Sequence, residues 1–499
     1  VEEQLWSSQL WGRHRFDGLG GLTLDWLAMQ ARGTFDRPDA KVYTWAANEQ
    51  LASAELRGGS SNNRFEWEEM EERSTGYRAD LTMPILESGP VTASLKAGLY
   101  LLEREREGYE YSWYYAWGQQ TTGELTREEL ESRQPGGLFT EENLCAGIGF
   151  GGCVALQIFG VDPTRDVGWW GDSYLVDQAT DSYYLMADLD FWETVRASFG
   201  VRRETFSLAA EMYEYTPEPL TELLDEQYDL YSAALTYRFN DRWQLRLGYG
   251  NTVSWPETFE IVPRTFTNYD TLEQYRGNLH LRPAEIKNYD VRLEWYPRED
   301  QSITLAYYTK DLTNAIENTF LGEGEEYRYY TFENVSSASV DGWELDLRQV
   351  FSFGANHELF VQFSYTDINS EVNLPVDTLE YDPNRPLQGQ PDYLINLQIG
   401  YDHFASGQQF TAVYSRQGEE LAIVTAAEGF LAIRNNVYEQ PYEDLKLIYQ
   451  KRFGQNWTLL LSMDNVLGAK RYLKYEGWDL PYLRYEPGRS AKLKISYAF

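Results

Sequence analysis

The sequence predicts an all-β protein, an antiparallel transmembrane β-barrel of the outer-membrane type. Three observations carry that expectation: period-two alternation along much of the chain, aromatic residues at the ends of the apolar stripes, and short connections taking turns with long ones. Alternation marks a strand whose two faces meet different environments. From 243 to 250, Trp243, Leu245, Leu247 and Tyr249 alternate with Gln244, Arg246, Gly248 and Gly250. From 289 to 296, Tyr289, Val291, Leu293 and Trp295 alternate with Asp290, Arg292, Glu294 and Tyr296. Trp343, Leu345 and Leu347 stand against Glu344, Asp346 and Arg348, and Trp457, Leu459, Leu461 and Met463 against Thr458, Leu460, Ser462 and Asp464. A soluble sandwich alternates too. Here, however, the polar face is charged, which suits a wet lumen, and the apolar face begins or ends in Trp or Tyr, which suits the two bilayer interfaces. Asp290, Arg292, Glu294, Glu344, Asp346 and Arg348 are therefore expected as a lumen-facing charge ladder rather than as acid/base pairs.

Composition agrees. The 499 residues include 38 Tyr, 23 Phe and 16 Trp beside only 6 Met and 2 Cys, an aromatic excess that interfacial girdles explain. A net charge of −35 would repel nucleic acid, whose binding rests on cationic contacts to phosphate. A membrane-spanning helix needs about 20 apolar residues; the longest unbroken runs, such as 113–117 and 183–187, have five. No basic segment leads into an apolar stretch at Val1, so a signal peptide is either already removed or was never present.

In order, strands are expected at 4–16, 22–34, 63–86, 91–117, 175–190, 195–212, 228–239, 242–252, 286–296, 301–311, 339–352, 356–367, 390–402, 408–416, 441–451, 457–466 and 490–499. Tight connections carry turn residues, as at Asp17 to Gly21, Glu87 to Pro90, Asn240-Asp241, Pro297 to Asp300, Phe353 to Asn356, Phe404 to Gly407 and Phe453 to Asn456. Between them lie long segments at 118–174, 213–227, 253–285, 312–338, 368–389, 417–440 and 467–489. Turns facing the periplasm and loops facing outside is the outer-membrane pattern. Residues 1–499 read as a single barrel domain. Seventeen strands is an odd count, whereas antiparallel closure wants an even one, and an unpaired edge in lipid is not tolerated. Either two strands are merged, in 312–338, where Tyr327 to Phe332 would be a strand of its own, or within 63–86 or 91–117, or strands outside this sequence or a second polypeptide complete the wall.

Several segments resemble one family. Asp464-Asn465-Val466-Leu467-Gly468-Ala469-Lys470-Arg471-Tyr472, followed by Glu486-Pro487-Gly488-Arg489, resembles the penultimate-strand motif of TonB-dependent outer-membrane receptors. Trp255-Pro256-Glu257-Thr258-Phe259-Glu260, Gly277-Asn278-Leu279-His280-Leu281-Arg282-Pro283 and Pro386-Leu387-Gln388-Gly389-Gln390-Pro391-Asp392-Tyr393 match further elements in the right order. Leu467 and Gly468 depart from the first motif, and Leu279 replaces a proline of the third. The resemblance implies a 22-stranded barrel with a plugged lumen, of which this chain supplies about 17 strands; nothing before residue 63 looks like a plug. It implies location in the cell outer membrane and TonB-dependent uptake of a scarce ligand such as a siderophore, peptide or oligosaccharide. TonB and its energising complex would be engaged through the plug, without an enzymatic reaction or a cofactor. A passive plugless channel and a surface adhesion or scaffold barrel, binding another protein through its long loops, are the alternatives.

Leu493, Ile495, Tyr497 and Phe499 alternate with Lys492, Lys494, Ser496 and Ala498. A terminal aromatic on an amphipathic strand resembles the signal read by the barrel-assembly machinery, although Lys494 stands where that signal has glycine. Cys145 and Cys153 flank a glycine-rich run. A disulfide closing this small loop in an oxidising exterior is the expected reading, contributing roughly 2–3 kcal/mol. Zinc would want further ligands, and His14, His280, His357 and His403 are scattered. The glycines lack the Lys-Ser/Thr of a phosphate loop and read as turn-forming. Acidic runs at 124–131, 141–142 and 323–326 suit solvated loop surface, with calcium or cation-bridged lipopolysaccharide as alternatives. No nucleophile elbow and no His-Glu-x-x-His is present.

Overall fold

In a computed structural model the wall is built from β1 (Glu2–Phe16), β2 (Leu22–Tyr43), β3 (Asn63–Leu86), β4 (Val91–Trp117), β5 (Ser173–Phe191) and β6 (Val195–Tyr213). It continues through β7 (Leu224–Asn240), β8 (Trp243–Ser254), β9 (Ala284–Arg298), β10 (Gln301–Glu323), β11 (Arg328–Phe353) and β12 (His357–Asn373). β13 (Tyr393–His403), β14 (Gln408–Gln417), β15 (Tyr442–Phe453), β16 (Trp457–Asp464) and β17 (Ser490–Tyr497) complete it. Each strand pairs antiparallel with the next in sequence. The structure describes residues 1–43, 45–48, 53–56, 63–87, 89–117, 144–145, 156–160, 173–213, 223–268, 273–323, 328–373, 385–425, 435–479 and 481–498.

The expected strand order is the observed one, and β3 and β4 coincide with 63–86 and 91–117 end to end. One expectation is corrected. The segment 312–338, read as a long connection, is mostly ladder: β10 and β11 stay paired from Thr313↔Ser337 out to Glu323↔Arg328. β11 has 26 residues, whereas about 9–11 cross a membrane. The remainder stands clear of the bilayer, where nothing imposes an apolar stripe, so the ladder continues without alternation.

Within the membrane the two faces separate cleanly. Pairing aligns Trp243, Trp295, Ile303 and Leu347 in one row, Leu245, Leu293, Leu305 and Leu345 in the next, and Leu247, Val291, Tyr307 and Trp343 in a third. Leu247, Val291, Leu293, Leu305 and Trp343 are exposed although nothing polar surrounds them on that face. Cross-strand aromatic pairs bound this stripe, Trp243 on Trp295 with rings 5.3 Å apart and Tyr249 on Tyr289 at 5.1 Å. Six residues separate the two pairs along the strand, roughly 20 Å at 3.4 Å per residue, comparable with the apolar band of a transmembrane barrel.

The opposite face is concave. The segment between β8 and β9 contains a short helix α1 (Thr258–Ile261) and a hairpin of Thr265–Asn268 with Glu273–Arg276. Its Phe259 ring lies 5.4 Å from Phe332 of β11, while Arg264 reaches Glu68 of β3 at 3.4 Å. Tyr174 of β5 and Phe206 of β6 lie six and five strand steps from Phe332 of β11 along the wall, yet all three share one buried cluster with Ile261 and Val262 of this segment. The wall therefore curls around this segment, and the face carrying Phe332 and Glu68 is the inside.

β1 and β17 are the two edges. β1 pairs only with β2 and β17 only with β16 among the described residues, and both are exposed almost throughout. They run in the same direction.

Candidate functional site

The inner face changes character along the strands. Near the tight-turn end it is charged and paired. Asp188 of β5 accepts from Arg196 at 2.8 Å, Ser198 at 2.8 Å and Lys96 at 3.3 Å; Asp80 takes Arg78 at 2.6 Å and the Tyr184 hydroxyl at 2.7 Å. Of the expected ladder, Glu294 is the hub, only 3% exposed: Arg292 Nε stands at 3.0 Å, Arg246 Nε at 3.1 Å and the Tyr296 hydroxyl at 2.5 Å, with Gln244 also donating. Arg292 also reaches Asp346 at 3.7 Å. Asp290, Glu344 and Arg348 share the face without joining this hub, standing opposite Tyr308, Ala306 and Ser302. Buried charge must be paired to be tolerated, and these carboxylates sit among arginines for that reason.

Toward the long-connection end the same inner series turns apolar. On β6, Arg202 and Glu204 are followed by Phe206, Leu208 and Ala210, each about fully buried at 1% exposure, and β5 contributes Tyr174 and Val176. Ile261, Val262, Leu281 and Phe332 close the cluster. Trp255 marks the boundary: its ring stacks on Phe206 at 4.4 Å and its Nε1 donates to Glu204 at 2.7 Å. A Trp satisfies both sides, apolar body above and polar tip below. Glu257 and Glu260 form a capping box on α1, the Glu257 N–H donating to the Glu260 carboxylate at 2.8 Å. Burial pushes the Glu260 carboxyl up.

Beside α1 opens a cleft of about 420 Å³ lined by Phe259, Phe266, Tyr275, Ile316 and Phe332, with Glu260, Asn318 and Gln388 as polar members. Gln388 is held by Asn318, whose N–H donates to it at 2.8 Å, and donates to the Ala422 carbonyl at 3.0 Å. Its segment is anchored by Arg385, buried with Glu317 at 2.7 Å. On the far side of Tyr275, three phenols surround one carboxylate. Glu273 accepts from Tyr275 at 2.9 Å and Tyr482 at 3.3 Å, and Tyr330 lies 2.6 Å from Tyr482. Burial pushes all three phenols up, Tyr482 to about 12.

The motif residues have structural work. Asn465, at φ 50°, accepts from the Ala469 N–H at 2.8 Å and donates to the Gly488 carbonyl at 2.8 Å, tying the two halves of the 464–489 motif. Leu493, Ile495 and Tyr497 project from β17 as one exposed apolar row, whereas Phe499 and Cys153 lie outside the described residues, as do the acidic runs at 124–131 and 141–142. Sequence reasoning missed the cleft and the tyrosine cluster. The usable signal was the reversal from Arg202 and Glu204 to Phe206 and Leu208 on one face of β6.

An antiparallel wall with a lipid-facing stripe, a charged concave face and an inward-folded segment between β8 and β9 defines a protein of the outer-membrane β-barrel class. The chain belongs to the TonB-dependent receptor family: the family described as TonB dependent receptor-like, beta-barrel, matches residues 6–466. It is an outer-membrane protein, so the mouth holding α1 is the extracellular one. No curated protein matches the chain. Among solved structures it resembles the pyoverdine receptor FpvA of Pseudomonas aeruginosa bound to pyoverdine, with TM-score 0.60 and 12% identity over 100% of this chain and 62% of that one. The ferric yersiniabactin uptake receptor FyuA of Yersinia pestis gives TM-score 0.57 and 12% identity over 100% and 62%, and the copper transporter OprC 0.56 and 12% over 100% and 65%. The chain thus spans under two thirds of the length of these proteins.

Proposed function

We propose that the protein is the barrel of an active importer that captures a scarce ligand at its outer mouth and passes it inward with energy supplied through TonB. One observation carries this reading: on β5 and β6 the inner face turns from paired charge to apolar side chains, and an aromatic-lined cleft opens beside α1, whose segment lies inside the wall. An open diffusion pore gains nothing from an apolar cleft at its entrance, whereas a receptor needs a concave, largely apolar site with a few placed polar groups. Metal chelates are the first ligand class to try, since the proteins it resembles carry pyoverdine, yersiniabactin and copper. In this reading a plug fills the lumen beneath the segment and contacts TonB. Further strands meet the edges of β1 and β17, and Leu493, Ile495, Tyr497 and Phe499 direct assembly.

The test is uptake of radiolabelled ferric siderophores and copper by cells producing the natural protein, with and without TonB. Loss of uptake in the TonB-deficient strain, and on Phe332→Ala, is expected. Equal uptake without TonB would instead establish a passive channel.

A further inference from the structure

One stretch of the lipid-facing surface is polar where the wall reaches its tight turns. Pairing sets His357 of β12 opposite His403 of β13, His403 opposite Gln408 of β14, and Gln408 opposite Lys451 of β15. One step deeper on the same face comes the row Leu359, Tyr401, Phe410, Tyr449 and Leu461, of which Tyr401, Phe410 and Leu461 are exposed. Deeper still stand Val361, Ile399, Ala412, Leu447 and Met463. Polar, aromatic, then aliphatic is the order of headgroup, interface and hydrocarbon. The four polar side chains therefore lie at headgroup level, in the periplasmic leaflet to which the tight turns belong. Elsewhere the corresponding rim row is Trp243, Trp295, Ile303 and Leu347, which offers no charge.

The row is organised to donate. The His357 and His403 rings stack 4.4 Å apart with planes 7° from parallel. The Tyr401 hydroxyl lies 2.7 Å from His357 Nδ1, and Ser406 Oγ lies 2.6 Å from His403 Nδ1. Where a hydroxyl donates to Nδ1, the ring carries its proton on Nε2; Ser406 Oγ also lies 3.3 Å from the His403 carbonyl. Gln408 is fixed from both ends, donating to Ser406 Oγ at 2.9 Å and accepting from the Tyr449 hydroxyl at 3.2 Å. Lys451 Nζ donates to the Ser406 carbonyl at 2.6 Å and keeps its remaining protons beside the exposed Phe453 ring, 5.6 Å away. The row is flanked by Phe353 and Leu459 and contains no carboxylate, in a chain whose net charge is −35.

We infer that His357, His403 and Lys451 bind the phosphate of an anionic phospholipid headgroup, with the acyl chains lying along Tyr401, Phe410 and Tyr449. Free phosphate has the same recognition chemistry, but the exposed aromatic row leading into the hydrocarbon suits a lipid and offers an aqueous anion nothing. One cation beside imidazole N–H donors offers a headgroup phosphate both charge and hydrogen bonds at the membrane surface.

The experiment is native mass spectrometry of the full-length receptor released from mixed phosphatidylglycerol and phosphatidylcholine nanodiscs. Wild type should retain phosphatidylglycerol preferentially. Lys451→Ala should weaken that retention about fivefold, the ~1 kcal/mol that one cation contributes at a lipid surface, and His403→Ala with Lys451→Ala should abolish the preference. Lys451→Arg should restore it. Folding of each variant is read from its heat-modifiable mobility, and Lys451→Gln, which removes the cation and keeps a long polar side chain, serves with the same expected loss if the double variant does not fold. Unchanged preference in the folded variants would overturn the inference. So would displacement of the lipid by millimolar inorganic phosphate, which would make the row a free-anion site.

Discussion

Arg264 and Glu68 meet at 3.4 Å across the inside of the wall, although 196 residues separate them in sequence. Arg264 is 3% exposed and lies between the rings of Tyr174 and Phe266, at 4.9 and 5.0 Å. The pair fixes the segment that carries Phe259 and Glu260 into the cleft. Arg264→Met should retain the stacking but remove one of two cations on Glu68, costing about 1–2 kcal/mol, below the range for fully buried pairs because Glu68 keeps some solvent and Arg37 at 3.0 Å. Protease accessibility of 255–281 on intact cells should rise; unchanged protection would show that the apolar cluster alone holds the segment.

Sidedness predicts opposite outcomes at adjacent positions. Leu247→Arg, on the exposed apolar stripe, should cost about 2–4 kcal/mol near the bilayer midplane, whereas Arg246→Lys on the lumen face should be mild. Urea unfolding from lipid vesicles measures both. Equal costs would mean that both faces are packed.

The edges predict an absence of contact. Direct closure of β1 on β17 would be a parallel pairing in an otherwise antiparallel wall, and each backbone group left open to hydrocarbon costs several kcal/mol. Further β-structure is therefore expected between them. Cysteines placed along Leu5 to Leu10 should not form disulfides with cysteines along Leu493 to Tyr497 in the native membrane protein. Efficient cross-linking would show that the two edges pair.

The tyrosine cluster predicts alkaline sensitivity at the outer surface. A phenol whose folded pKa exceeds its unfolded value of about 10 contributes its full stabilisation below pH 10. That contribution is lost as pH rises through the folded value, about 12 for Tyr482. Loosening of the loops around Glu273 is expected between pH 10 and 12, seen as a change in the near-ultraviolet dichroism of the tyrosines. Tyr482→Phe should remove that residue's share. A variant with the wild-type profile would place the transition elsewhere.

What the sequence made legible was whatever the bilayer imposes. A strand between lipid and water must alternate, so β8, β9 and the face of the wall on which Glu294 lies followed from parity alone. The 312–338 ladder was not legible because Asn314, Glu317 and Asn318 lie where neither face meets lipid, and pairing there asks only for backbone. The cleft was hidden for a different reason. Trp255 against Phe206 and Arg264 against Glu68 are contacts between distant segments, and no local pattern encodes which loop turns inward. The family motifs marked these places without explaining them: Pro386 to Tyr393 is the stretch that seats Gln388 over Asn318, and Trp255 to Glu260 is the one that enters the mouth.

A curved sheet is easily flattened, because bending it further or opening it changes few hydrogen bonds. The segment from Phe259 to Arg264 spans a chord of that curve, fastened to β11 at one end and to β3 at the other. It works as a tie-rod. The extracellular side of the wall between β3 and β11 is thereby braced, while the rim near Gly354, Gly407 and Gly454 has no such brace among the described residues. A pull applied from the periplasm would therefore distort the near end of the wall more readily than the braced far end.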